Sequence, residues 1–262
     1  MEIKSAADFV RMTRGALAAA GFARNEKDGM VSFSSGAAGS QPAVLLHGVN
    51  DQSGTWFTVA SALAKRFRVI LPDLPGHGES APQHGPLPIS HIVDSLDRIV
   101  PDEPFVLLGN SLGGWIAMLY TLRYPERVRQ LVLESSGGLN RPIASAVVAH
   151  DRDEAIAILR NVHGPNYVAP EWVIEALLAR AHDSPMLRVT ELAEHYVDDR
   201  LREIHTPTHI IWGADDGVVP LSYARALQEG ISGAKLHVID GAAHIPHLQQ
   251  PERFVQCLTA IS

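Results

Sequence analysis

The sequence predicts an α/β fold with a mostly parallel central sheet and helices on both faces. Three observations predict it. From residue 43 onward, short apolar runs rich in β-formers alternate with longer helical patterns, the rhythm of strands buried on both faces. Gly, Pro and Ser signals open or close the helical patterns. The 262 residues, 46% of them apolar, suffice for one core with room for an inserted segment.

In chain order, the uncharged stretch 15–23 comes first. A secretory signal needs about 7–15 strongly apolar residues after a positive end. Here only Leu17 and Phe22 are strongly apolar and Asp8 lies upstream, so a short amphipathic helix is expected. Residues 22–42, rich in Gly and Ser, are expected to hold one or two edge strands. The parallel strands are expected at 43–46, 68–71, 105–108, 130–133, 209–212 and 235–239, with core helices near 55–65, 90–99, 112–124, 220–229 and 251–260. The interval between Leu133 and His209 is far longer than the roughly 10–12 residues a crossover needs. Inside it, 151–162 and 171–182 read as helices, separated by Gly164, Pro165 and Pro170 and closed by Pro185. The expected organisation is therefore a core from 1–136 and 205–262 and a mostly helical insertion at 137–204.

Bulk charge narrows the function classes. The formal net charge is −7 and the only tight basic cluster is Lys65, Arg66 and Arg68 around Phe67, which argues against a nucleic-acid partner. No apolar run approaches the about 18–20 residues of a membrane span, so the chain reads as soluble. A single cysteine, Cys257, excludes an internal disulfide and a cysteine-rich metal site, and the cytoplasm is the expected compartment.

The chemistry is carried by segments that follow strands. Gly109-Asn110-Ser111-Leu112-Gly113 lies between the apolar run 105–108 and a helical run. A G-x-S-x-G there makes a sharp strand-to-helix turn that exposes a serine hydroxyl, because only small residues let the backbones approach. An ordinary glycine-rich turn is the plainer alternative. His47-Gly48-Val49-Asn50 follows run 43–46 and offers the Val49 N–H beside that of Leu112 as an oxyanion hole; a simple turn capped by His47 is its alternative. A serine needs a base and the base an orienting acid. Asp215 and Asp216 both follow run 209–212, and His244 follows run 235–239 after Gly241-Ala242-Ala243. Among 13 histidines His244 is singled out by that post-strand position; His237 lies inside a strand and His247 beyond Pro246. Active sites in such sheets lie at the carboxyl ends of the strands, and the order Ser, Asp, His is the one expected for this fold.

Five segments in order resemble the α/β-hydrolase superfamily, specifically its carboxylesterase, monoglyceride-lipase and meta-cleavage-product hydrolase group. They are Leu46-His47-Gly48, the run from Asp73 to Ser80, Gly109-Asn110-Ser111-Leu112-Gly113-Gly114, Ile211-Trp212-Gly213-Ala214-Asp215-Asp216 with Val219-Pro220, and the run from Gly241 to His244 with Pro251-Glu252-Arg253-Phe254. The resemblance implies the α/β-hydrolase fold with a helical cap after the sixth strand, Asp216 rather than Asp215 as the acid, and no metal or organic cofactor. It implies that Ser111 attacks an acyl carbon, His244 takes its proton, Asp216 orients His244, and Val49 and Leu112 N–H groups hold the oxyanion. Asn110, Trp172 and Ile245 are candidate substrate-binding residues, and His77 is assigned no catalytic part. The expected activity is a serine carboxylesterase acting on a small-molecule ester of short or medium acyl chain. Carbon–carbon hydrolases share the Gly-Asn-Ser-x-Gly-Gly elbow but usually carry Trp after the base, where this chain has Ile245. Carbon–carbon hydrolysis, acyl transfer to an alcohol, and a non-catalytic ligand-binding protein on the same scaffold are the alternatives that activity assays distinguish.

Overall fold

A computed structural model describes residues 2–37, 39–145 and 147–259, so residue 260 of the last expected helix falls outside the described residues. The chain opens with α1 (Ala6–Ala19), capped by Ser5, whose hydroxyl accepts from the Asp8 N–H at 3.1 Å. Two antiparallel edge strands follow, β1 (Ala23–Lys27) and β2 (Met30–Ser35), then β3 (Pro42–Leu46), a 3₁₀ turn at Ser53–Trp56, α2 (Phe57–Ala64) and β4 (Arg68–Pro72). A two-residue strand β5 (Leu87–Pro88) leads into α3 (Ile89–Leu96), β6 (Phe105–Asn110), α4 (Leu112–Arg123) and β7 (Val128–Glu134).

The long interval then contributes α5 (Arg152–His163), α6 (Glu171–Ala179), α7 (Pro185–Arg188), β8 (Val189–Thr190) and two 3₁₀ turns. The core resumes with β9 (Thr208–Gly213), α8 (Leu221–Gly230), β10 (Lys235–Ile239), α9 (Pro246–Gln249) and α10 (Pro251–Thr259).

The eight-stranded sheet has the order β1-β2-β4-β3-β6-β7-β9-β10. Strands β3, β4, β6, β7, β9 and β10 run parallel, while β1 and β2 are antiparallel to their neighbours. Side-chain alternation divides the core in two. Val44, Leu46, Phe105, Leu107, Leu131, Leu133, Ile210 and Trp212 pack on the face that holds α3, α4 and α8. Ala43, Leu45, Val106, Leu108, Val132 and Ile211 pack on the face that holds α1, α2 and α10. Along the inner strands alternate residues thus serve opposite layers, which is why those strands centre on apolar runs.

The inserted segment has a small apolar cluster of its own, Ala149, Ala155, Ile158, Leu159 and Ile174, joining α5 to α6. It also returns to the core: β8 pairs in parallel with β5, Leu87 opposite Val189. Helix α3, with a buried stripe of Ile89, Ile92, Val93 and Leu96, stops at Leu96, short of the expected residue 99. The expected helix 171–182 likewise closes at Ala179.

Candidate active site

The sharpest backbone feature lies between β6 and α4. Ser111 has φ 53° and ψ −115°, a left-handed conformation that L side chains adopt at a cost. Three glycines make it possible. A Cβ on Gly109 would run into the backbone of Gly113, one on Gly113 into the carbonyls of Leu46 and His47, and one on Gly114 into Ser136. The Ser111 N–H donates to Glu134 C=O at 3.0 Å, fixing the turn to the end of β7. Half-buried Ser111 thus stands at the carboxyl edge of the sheet with its backbone tied down.

Asp216 and His244 meet beside the ends of β9 and β10. His244 Nδ1 lies 3.0 Å from Asp216 Oδ2 and 3.2 Å from Oδ1, and the Asp216 side chain is fully buried. Asp216 Oδ1 also accepts from the N–H groups of Val218 and Val219, each at 2.9 Å. An acceptor-only carboxylate at Nδ1 requires the proton there, so Nε2 of neutral His244 carries the lone pair. Asp215, its neighbour, is exposed.

The loop after β3 lies against the serine. A Cβ on Gly48 would stand 3.3 Å from Ser111 Cβ and 2.9 Å from Asn110 Oδ1, so the missing side chain lets the Gly48–Val49 peptide approach. The Leu74 N–H donates to His47 Nε2 at 2.9 Å, which leaves the proton on Nδ1, and Nδ1 donates to Gly48 C=O at 2.7 Å. In a trans peptide the C=O and the following N–H point in opposite directions, so His47 sets the direction of the Val49 N–H. Leu112 begins α4, where a helix leaves N–H groups unpaired.

The family model described as the alpha/beta hydrolase family matches residues 43–257. The chain belongs to the alpha/beta hydrolase family. It is 30% identical over 238 residues to a pimeloyl-[acyl-carrier protein] methyl ester esterase of Vibrio cholerae, covering 83% of this chain and 92% of that protein. It is 29% identical over 259 residues to a 2-hydroxy-6-oxononadienedioate/2-hydroxy-6-oxononatrienedioate hydrolase of Paraburkholderia phymatum, covering 87% and 89%. Among solved structures, carboxylesterase CesB from Bacillus subtilis superposes with a TM-score of 0.78 over 98% of each chain at 19% identity.

Other expected site residues of this alpha/beta hydrolase take different places. Asn110 is 2% exposed and donates its amide to His244 C=O at 3.1 Å, so it joins the serine turn to the histidine loop from within the protein. Ile245 is buried and starts α9. Trp172 points its ring at Phe9 of α1, with centroids 6.1 Å apart. His77 is buried with Nδ1 3.0 Å from Pro75 C=O, and burial first, then the nearby His47, lowers its pKa to about 3. Around it, the buried Asp73 carboxylate accepts from Ser53, Glu79 and Arg14, so this loop is framework.

Two further groups of residues were not singled out by sequence. Glu134, last in β7, accepts from the His247 N–H at 2.9 Å and faces His247 Nδ1 at 2.9 Å; His247 Nε2 lies 3.0 Å from Thr55 Oγ1. A carboxylate directly after the apolar run Leu131 to Leu133 was the available signal. The second group is the last turn of α5. Its carbonyls at Asn161 and Val162 accept from the N–H groups of Gly217 and His244, each at 3.1 Å, and that of His163 accepts from Gln249 Nε2 at 2.6 Å. Gln249 Oε1 in turn accepts from the Ala243 N–H at 2.7 Å. His163 stacks on Tyr167, and burial first, then the nearby His244 imidazole, lowers its pKa to about 4. Among the described residues no helix is long and apolar enough to cross a membrane.

Proposed function

We propose that this protein is a serine hydrolase that cleaves small-molecule carboxylic esters of short or medium acyl chain through an acyl-enzyme, working in the cytoplasm. The observation that carries the reading is the left-handed Ser111 at a strand-to-helix turn whose Asn110 amide donates to the carbonyl of His244, the histidine whose Nδ1 is held by a fully buried carboxylate. His244 Nε2 takes the Ser111 proton as Oγ attacks the acyl carbon, and returns it to the departing alcohol. The Val49 and Leu112 N–H groups hold the oxyanion. Water, activated by the same histidine, then releases the acid.

Asp216 fixes the tautomer and stabilises the imidazolium without taking its proton. The carbonyl end of α5 adds to this, since the negative end of a helix favours a cation beside it. The inserted segment 137–204 acts as a cap over the site, which gives α5 a part in both substrate enclosure and the histidine loop.

Carbon–carbon hydrolysis of a vinylogous diketone is the second reading, favoured by the Asn110-Ser111-Leu112-Gly113-Gly114 elbow and by the Paraburkholderia relative. Ester cleavage is favoured by Ile245 after the base. The test is turnover of a p-nitrophenyl ester series by wild type and Ser111→Ala, with a vinylogous diketone panel beside it. Wild-type ester turnover that falls by about a million-fold in the variant is expected. Comparable turnover in Ser111→Ala would refute the nucleophile, and turnover of diketones alone would replace the ester reading.

A further inference from the structure

The Gly48–Val49 peptide is held on its core side by His47, as described above. Its other side is held from the cap, through one residue. Asn50 has φ 61°, a left-handed conformation that asparagine tolerates better than most residues. Its Oδ1 accepts from Ser184 Oγ at 2.6 Å, its Nδ2 donates to Val147 C=O at 3.3 Å, and its own C=O accepts from Arg180 Nη1 at 3.1 Å. All three partners lie in the segment 137–204, more than a hundred residues away in sequence except Val147. Ser184 is itself fixed, 2% exposed and capping α7 by accepting from the Met186 N–H at 3.2 Å.

These contacts give the loop a particular mechanical character. The residue after Val49 hands its side-chain amide and its carbonyl to the cap, while the residue before Gly48 hands its ring to the core. The peptide between them lies against Ser111 and carries the Val49 N–H that the serine-hydrolase reading assigns to the oxyanion hole. A donor stabilises an oxyanion only when it is aimed where the charge develops, and a preorganised donor costs no reorganisation at that moment.

We propose that Asn50 is a positioning residue through which the docked cap sets the oxyanion hole, so that cap placement controls the chemical step and not substrate capture alone. This rests on the serine-hydrolase reading above. Loss of the Asn50 contacts leaves the Val49 N–H anchored only by His47. Because the oxyanion exists in the transition state and not in the bound ester, the consequence falls on kcat with KM little changed.

The test uses Asn50→Gly, which keeps the left-handed backbone and removes the amide, and Ser184→Ala, which removes its partner from the cap side. With p-nitrophenyl butyrate, Asn50→Gly is expected to lose about 10- to 100-fold in kcat, less than the roughly 100- to 1,000-fold of deleting an oxyanion donor outright. Ser184→Ala is expected to lose about 3- to 10-fold, and the double variant no more than Asn50→Gly alone, because both break one link. Asn50→Asp, which keeps the Oδ acceptor for Ser184 but cannot donate to Val147 C=O, is expected to recover only part of the loss. A rise in KM with kcat intact, or losses that multiply in the double variant, would overturn the proposal. Amide hydrogen exchange over residues 47–52 reads the link without any substrate: faster exchange in Ser184→Ala is expected, and unchanged exchange overturns the proposal whichever bond the enzyme cleaves. Absent ester turnover in wild type would instead fall on the ester reading, leaving the exchange result to judge the cap link.

Discussion

Replacing Asp216 by Asn separates the two adjacent carboxylates and measures what the buried one does. One oxygen of Asp216 is committed to the N–H groups of Val218 and Val219, so the asparagine carbonyl must occupy that place. Its NH₂ then replaces Oδ2, 3.0 Å from His244 Nδ1. An amide nitrogen only donates, so His244 has to present its lone pair at Nδ1 and carry its proton on Nε2, the atom that should receive the proton of Ser111. Such a reversed tautomer costs about 10⁴ in kcat, or about 5 kcal/mol of barrier at 1.36 kcal/mol per decade. The fold is retained, because the amide matches the carboxylate in shape and keeps both backbone partners. Asp215→Asn is the internal control: its side chain is exposed and its N–H to Ala242 C=O, 2.9 Å, is untouched. An effect within about 0.5 kcal/mol, roughly a factor of two to three, is expected there. Steady-state kcat on a p-nitrophenyl ester decides the matter. Retention by Asp216→Asn of more than a tenth of wild-type kcat, or a larger loss at 215, would refute the reasoning.

The remaining predictions concern stability. Glu134→Ala strands the N–H and Nδ1 of fully buried His247, and breaking such a pair is expected to cost about 3–5 kcal/mol in urea denaturation; a cost below about 1 kcal/mol would show that the pair is dispensable. Acid should destabilise the protein well before its carboxylates titrate. His77 and His163 have folded pKa values lowered to about 3 and about 4, from an ordinary value of 6.5. Their contribution is complete above pH 6.5 and is lost as pH falls, because the unfolded chain takes up two protons that the folded one refuses. The unfolding free energy should drop by up to about 2.7 kcal/mol per pH unit between roughly pH 6 and pH 4, and a flat profile from pH 7 to pH 5 would contradict it.

How far the sequence discloses this molecule depends on the range of the forces involved. The inner parallel strands are legible because they serve two layers and centre on apolar runs, as Ala43 to Leu46 illustrate by dividing between opposite cores. The two-residue pair β5 and β8, and the single turn α9, are too short to carry any period. The serine turn is legible because its requirement is local: only glycine satisfies the close approach at 109, 113 and 114. That Asn110 joins the His244 carbonyl could not be read from its own neighbours, because what a side chain meets depends on loops brought in from far along the chain. Ser184 meets Asn50 across 134 positions and His247 meets Glu134 across 113, and nothing in either neighbourhood announces the partner.

That second pairing sharpens what makes the first one a site. Within four residues the chain places two histidines, each with Nδ1 held by a carboxylate, and each carboxylate ends or follows a strand: His244 with Asp216 and His247 with Glu134. The second even has a hydroxyl at its far nitrogen, Thr55 Oγ1 at 3.0 Å. The difference is access and backbone. Thr55 and His247 are sealed beneath Trp56, whose ring lies 4.2 Å from that of His247, and neither His247 nor Glu134 has any side-chain surface. Ser111 is half-buried, on a left-handed turn, beside a glycine loop. A hydroxyl, an imidazole and a carboxylate in line therefore do not identify a nucleophile, since the same three groups serve here as a buried strut. The strut still bears on the candidate site: Glu134 C=O holds the Ser111 N–H while its carboxylate holds residue 247, so one residue keeps the Ser111 turn and the helix after His244 in fixed relation.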